Sequence, residues 1–306
     1  MIFRHVALIG LGLIGSSIAR AAQETGAAGR VTGYARSSET RAKAAELGFC
    51  EVFETPGEAV AGADCVILCV PVGACGSVAQ AIAPHLAKGA IVSDVGSVKQ
   101  DLIADVAPHL PAHTHFVPGH PMAGTEHSGP EAGFAGLFQN RWVILTPLPG
   151  VDPAKTQALA AFWQAIGAET AEMTPEHHDL VVAVTSHVPH AIAYTMVGVA
   201  DDMRRVTDEE VVQFSAAGFR DFTRIAASDP TMWRDVFLNN REATLDVLGR
   251  FTEELMTVQS AIRNGDGEFL FEYFTRTRAI RRGILDAGQD IEAPDFGRIA
   301  AQADQP

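Results

Sequence analysis

Apolar residues along this chain recur in two rhythms, and the change from one to the other falls near Met173. Before it, short apolar runs of strand length alternate with stretches of helical spacing. Residues 3–9, 31–35, 63–70 and 90–94 are predicted strands, and 116–117 and 142–145 can each supply one more. Residues 16–23, 40–47, 76–86 and 98–107 are predicted helices, the second of them stopping at Gly48. Strands that alternate with helices imply a parallel sheet joined by right-handed crossovers.

After Met173 only the helical period remains. Ser228-Asp229-Pro230 predicts a helix start, with Asp229 as N-cap and Pro230 in the first position. Trp233, Phe237, Leu245, Leu248, Leu255, Val258 and Ile262 then recur at helical spacing, predicting one long helix over 230–263 that closes at Asn264-Gly265. Another helix is expected over 269–285, followed by a frayed tail from 290. Residues 180–200 are apolar nearly all round, yet carry His187, Pro189 and His190 and no basic flank before them. That composition predicts a buried helix of a soluble protein rather than a membrane span. One small helical domain has too few elements to surround it, so a homodimer of interleaved helical halves is expected.

The turn after the first strand reads Gly10-Leu11-Gly12-Leu13-Ile14-Gly15. In a strand–turn–helix setting, the first glycine permits the tight turn and the second lets backbone approach a pyrophosphate. The third brings helix and sheet together. Dinucleotide binding follows, with Leu13 and Ile14 in the helix start that faces the phosphates. Val70 and Pro71, closing the third predicted strand, line the same end of the sheet. The fold class is therefore α/β: a Rossmann-type doubly wound parallel sheet over 1–173, then an all-helical dimerisation and substrate domain over 174–289, then a tail over 290–306.

About 20 residues beyond the glycine turn, an Asp or Glu would bind the ribose 2′-hydroxyl of NAD. This chain has Ala35 there, followed by Arg36, Ser37, Ser38 and Arg41. Those donors suit a 2′-phosphate, so NADP is the expected preference, with NAD as the other possibility. Ser97, in Asp94-Val95-Gly96-Ser97-Val98-Lys99, is expected near the nicotinamide, either orienting a base or capping the helix from Val98. Lys99 reads as an ordinary helix-surface lysine. His120, between Gly119 and Pro121 on what reads as irregular backbone, is placed for proton transfer beside the cofactor.

Taken in order, Gly-x-Gly-Leu-Ile-Gly-x-Ser, Asp-Val-Gly-Ser-Val-Lys, His-Pro-Met-Ala-Gly-Thr-Glu and Ile-Leu-Thr-Pro resemble the prephenate/arogenate (cyclohexadienyl) dehydrogenases of tyrosine biosynthesis. The later segments at 186–190, 218–226, 228–230 and 232–235 continue the resemblance, which spans about residues 4–285. It implies that His120 is the catalytic base, with Ser97 as its hydrogen-bonding partner and Arg224 as the anchor of a substrate carboxylate. His190, Thr125, Glu126 and Trp233 match positions lining the family's pocket. Ala217-Gly218-Phe219 departs from the usual Gly-Gly-Phe, and Ala35 from the usual acidic residue. The resemblance also implies a homodimer, and oxidative decarboxylation of prephenate or arogenate without a metal.

Composition narrows the field. The chain has 306 residues and a formal charge of −14. A surface of that sign repels nucleic acid and anionic membrane, leaving a small-molecule substrate as the expected partner. Cys50, Cys65, Cys69 and Cys75 show no metal-ligand spacing and read as reduced core thiols in a cytoplasmic protein. The N-terminal apolar stretch reads as a strand rather than a signal peptide. No fused mutase or regulatory domain is expected. His109, His113, His115, His177 and His178 carry no motif and are expected to be ordinary surface or core histidines. Two alternatives stay open: a β-hydroxyacid dehydrogenase or imine reductase, and a non-catalytic NADP-binding sensor. The first commonly uses a lysine in its helical half, and this chain has none after Lys155.

Overall fold

The computed structural model of the chain describes residues 1–125, 127–202 and 216–286. The described residues fall into two compact units, divided between Val247 and Leu248. The first is organised by a six-stranded parallel sheet of order β3-β2-β1-β4-β5-β6. Its strands are β1 (Phe3–Ile9), β2 (Ala28–Tyr34), β3 (Glu51–Val52), β4 (Cys65–Leu68), β5 (Ile91–Asp94) and β6 (His115–Phe116). The central β1, β4 and β5 are almost wholly buried, as strands covered on both faces must be.

Helices α1 (Leu13–Thr25), α2 (Ser38–Leu47), α3 (Pro56–Val60), α4 (Cys75–Ile82) and α5 (Gln100–Val106) make the crossovers. Gly48 ends α2 in the left-handed conformation, at φ 68°. One core layer joins Val6, Leu8, Ile18 and Ile67 to Phe138, Phe162 and Trp163. The opposite layer joins Ile9, Leu68, Val92 and Leu102 to Trp233 and Val236 from the helical region.

Residues 142–145 do form a strand, β8 (Trp142–Leu145), but in a second sheet. There it runs antiparallel to β7 (Gly119–Pro121) and parallel to β9 (Glu169–Glu172). The backbone of His120 is therefore extended and paired, not irregular: His120 sits opposite Ile144. Helix α6 (Pro153–Ala165), capped by the Asp152 carboxylate on the Ala154 amide, connects β8 to β9.

From Thr174 onward the described chain is helical: α7 (Pro175–Val182), a π turn at Ala183–His187, α8 (Val188–Asp202), α9 (Ala217–Thr223), α10 (Pro230–Asn239), α11 (Arg241–Asn264) and α12 (Gly267–Asp286). Asp229 caps α10 through the Met232 amide, as expected. The single helix expected over 230–263 is instead broken at Asn240, at φ −116° and ψ 45°. The Asn240 side chain bonds the carbonyl of Asp179 at 2.8 Å and Nδ1 of His187 at 3.0 Å, and those partners repay the break.

The rod Pro175–Asp202 is long and apolar enough to cross a bilayer, by length and composition only. Its expected burial on every face is not met within one chain: 28% of the apolar window is buried. Leu180, Val184, Met196, Val197 and Val199 are exposed.

Candidate active site

The cofactor end is built from backbone. Gly10 has φ 111°, and a Cβ there would lie 2.2 Å from the carbonyl oxygen of Cys69. A Cβ on Gly15 would lie 2.0 Å from the oxygen of Gly10, so α1 touches the turn directly. Gly12 faces open space, with no heavy atom within 4 Å of its Cβ direction, and leaves α1 without a side-chain cap. Free amides, a helix N-terminus and room for an incoming group fit a dinucleotide pyrophosphate. Leu13 and Ile14 pack half-buried against the core behind the turn. Val70 borders Gly10, with its Cγ1 3.2 Å from that same hypothetical Cβ, and the exposed Pro71 follows.

On the adenosine side Ala35 is buried and Arg36 exposed. Ser37 caps α2 by accepting from the Thr40 amide. Arg41 is committed elsewhere. It donates to the carbonyls of Ala35 and Arg36 and to Glu54 Oε2 at 2.6 Å, and lies over the Tyr34 ring. Among the described residues, no hydrogen bond or ion pair engages the exposed Arg36 guanidinium.

The catalytic end departs from expectation at three residues. His120 is buried, and its Nδ1 lies 2.8 Å from His178 Nε2. His178 Nδ1 in turn lies 2.8 Å from Asp179 Oδ1. So the partner of His120 in this structure is His178, expected to be an unremarked histidine, and not Ser97. Ser97 is half-buried, and no described hydrogen bond joins it to His120. It does not cap the following helix either. That helix begins at Gln100, and Asp179 caps it by accepting from the amides of Lys99 at 2.8 Å and Gln100 at 2.9 Å. Lys99 is not on the surface. Its side chain is wholly buried, paired with Asp94 and bonded to the carbonyl of Gly119 at 2.6 Å.

Burial dominates the electrostatics. It pushes His120 well below the usual histidine range, and the neighbouring His178, Lys99 and His187 add to the shift. Burial likewise lowers His178, against an opposing bond from Asp179. Burial pushes the Asp179 carboxyl up, but its bonds from His178 and the Gln100 and Lys99 amides outweigh that and leave it low. His120 is thus neutral near pH 7, as a general base must be.

Of the other expected pocket residues, His190, Trp233 and Arg224 lie on the helical elements. His190 stacks on Trp233 with ring centroids 3.6 Å apart, and its Nδ1 donates to the Ser186 carbonyl at 2.8 Å. Trp233 is buried, and its indole N–H has no partner among the described residues. Arg224 opens the turn Arg224–Ala227; burial lowers His190 below the usual histidine range, and the Arg224 charge adds to that shift. Arg234 pairs with Asp235 at the surface. Thr125 accepts from the His127 amide at 3.2 Å. Glu126 lies outside the described residues. His187 accepts at Nδ1 from Asn240, and its buried Nε2, beside Trp233, has no partner among the described residues. The π turn that carries it is a distortion frequent at functional sites.

Comparison with known proteins agrees with this layout. The nucleotide-binding domain of prephenate dehydrogenase matches residues 18–172, and its dimerization domain matches residues 174–276. A cyclohexadienyl dehydrogenase of Zymomonas mobilis is 43% identical over 92% of this chain and 97% of its own length. A prephenate dehydrogenase of Bacillus subtilis is 35% identical over 91% of this chain and 76% of its own. Among solved structures, prephenate dehydrogenase from A. aeolicus, in complex with hydroxyphenyl propionate and NAD+, superposes with a TM-score of 0.85. It is 35% identical, and the match covers 92% of this chain and 98% of that one. With both halves of the chain matched, in order and over most of its length, this protein belongs to the prephenate dehydrogenase family.

Proposed function

We propose that this chain oxidatively decarboxylates prephenate, arogenate or both, passing a hydride to NADP in preference to NAD. The observation that supports the chemistry most is His120: buried, held through Nδ1, and with no described hydrogen bond at Nε2. The Gly119 amide beside it bonds Asp94 at the carboxyl end of β5, the end of the sheet where folds of this class bind ligands. A bound nicotinamide supplies the hydride acceptor. His120 Nε2 takes the proton of the ring hydroxyl as its carbon is oxidised. The ring carboxylate leaves as CO₂, its bonding electrons aromatise the ring, and the product is 4-hydroxyphenylpyruvate or tyrosine. No step calls for a metal. Arg224, with His190 and Trp233 beside it, holds a substrate carboxylate, which a planar guanidinium can pair bidentately. Thr125 and Glu126 complete the pocket, and Ser97 flanks the nicotinamide.

In this reading 1–173 binds the dinucleotide and 174–289 the substrate, and the enzyme works in the cytoplasm as a homodimer. The family's matched dimerization domain supports the dimer. So do the exposed apolar residues of α8 and, separately, Leu255, Met256, Ile262, Phe271 and Phe274 in the second unit. Light scattering at micromolar concentration is expected to give a dimer, and an active monomer would refute it.

Absorbance of the reduced nicotinamide, followed with prephenate and with arogenate, each with NAD and NADP, tests the activity. Turnover of a β-hydroxyacid instead, or cofactor binding with no turnover, would overturn it.

A further inference from the structure

We propose that Asp179 and His178 fix the tautomer of His120, keeping its proton on Nδ1 and leaving Nε2 bare. The inference rests on reading His120 as the general base and names two positioning residues for it. His178 and Asp179 come from α7, and His120 from β7, so two separate parts of the chain build the base.

The argument runs outward from backbone. The Lys99 amide reaches Asp179 Oδ1 at 2.8 Å, and the Gln100 amide reaches Oδ2 at 2.9 Å. Amides only donate, so both carboxylate oxygens accept. Gln100 Nε2 adds a further donor to Oδ2 at 3.3 Å. His178 Nδ1, 2.8 Å from Oδ1, must therefore carry a proton. A neutral imidazole protonated at Nδ1 has a lone pair at Nε2. That lone pair faces His120 Nδ1 at 2.8 Å, so His120 must donate from Nδ1. Its only remaining lone pair is Nε2, the atom a base offers.

The alternative is a charged His178 donating at both nitrogens, which would leave His120 protonated at Nε2 and useless as a base. Burial first, then the Lys99 charge, disfavours that state and outweighs the bond from Asp179. The charged and titratable groups around the pair are Lys99, Asp94, Asp179 and His187. Lys99 contributes twice, through its amide to Asp179 and through its ammonium against the Gly119 carbonyl. The chain of donors thus begins at the first amides of α5 and ends at the base.

Two measurements test this. Nitrogen-15 NMR of ring-labelled histidines in the full wild-type chain, near neutral pH and without ligands, is expected to show His120 protonated at Nδ1 and bare at Nε2. The His120→Asn spectrum assigns the signal, and a proton on Nε2 overturns the proposal. In Asp179→Asn an amide turned toward His178 donates where the carboxylate accepted. The chain then reverses and leaves the His120 proton on Nε2. Its kcat is expected to fall by roughly 10²–10⁴ while KM changes less than about threefold, with the nitrogen-15 signature shifted accordingly. A folded variant with wild-type kcat overturns the proposal, and if the variant does not fold the wild-type spectrum decides alone. A wild type that oxidises neither prephenate nor arogenate overturns the activity reading instead, and the spectrum still decides the tautomer.

Discussion

Lys99 Nζ donates to the carbonyl of Gly119 at 2.6 Å, while the Gly119 amide donates at 3.2 Å to Asp94, the carboxylate with which Lys99 is paired. One buried ion pair thus holds both backbone polar groups of the residue before His120. Asp94 also accepts from the Gly96 amide at 2.7 Å, so the carboxylate holds donors at both oxygens. The pair ties the end of β5 to the start of β7, and so joins the two sheets beside His120.

Removing one partner leaves the other charged in a dry interior. Lys99→Met is therefore expected to cost about 3–5 kcal/mol, the usual effect of breaking a buried pair. Urea unfolding measures it. A midpoint within error of wild type would mean that Asp94 finds another partner or a proton.

His120→Asn keeps a polar side chain of smaller size and removes the base. Cofactor and substrate affinity are expected to change little, while kcat falls by roughly 10²–10⁴. Equilibrium binding alongside steady-state kinetics separates the two effects, and near-normal turnover would remove His120 from the chemistry.

Arg224→Ala tests the substrate end. Losing a charge-assisted pair to a buried carboxylate costs about 2–5 kcal/mol, so KM should rise at least about thirtyfold. The expected change in kcat is smaller. An unchanged KM would assign Arg224 to structure alone.

What the sequence could disclose depended on the range of the interaction. Local signals carried far. The strand Trp142–Leu145 was legible to the residue, and so was the Asp229 cap. The same kind of signal also stood unread at Thr55-Pro56-Gly57-Glu58, a capping box that starts α3, and at Asp152-Pro153, which starts α6. His120 drew notice in the sequence because its neighbours form a motif. Lys99, His178 and Asp179 did not, because their roles arise from contacts between residues up to 80 positions apart. Asn240 shows the same limit. Helical spacing continues through it, and only the tertiary partners Asp179 and His187 explain the break.

Buried histidines make stability depend on pH. Burial lowers His187 to about 4 in the folded chain and also lowers His120 and His178. Unfolded, each titrates near 6.5. Above that value neither state binds the proton and nothing is lost. As pH falls below about 6.5 the unfolded chain takes up protons that the folded chain refuses. Stability should therefore decline through the window from 6.5 toward about 4, by roughly 1.4 kcal/mol per pH unit for each such histidine. Melting temperatures measured across this range are the check, and a flat profile down to about pH 5 would contradict the burial of these rings as neutral groups.

The cofactor preference turns on the end of β2. Ala35 offers no acceptor to a ribose hydroxyl, and its carbonyl is already bonded by Arg41 at 2.9 Å. Arg41 is also paired with Glu54, so its charge is partly spent. That leaves the exposed Arg36 as the cation for a 2′-phosphate. A charge-assisted bond of this kind contributes about 1.5–3 kcal/mol, so Arg36→Ala should cut kcat/KM for NADP by roughly ten- to a hundredfold and leave NAD nearly unchanged. Ala35→Asp should act in the opposite sense on the two cofactors. Its carboxylate would accept from the ribose hydroxyls of NAD and repel the 2′-phosphate of NADP. Competition kinetics with both cofactors on wild type and the two variants resolve the matter. A wild-type enzyme strongly selective for NAD, with Arg36→Ala silent toward both, would show that Arg36 points away from the ribose.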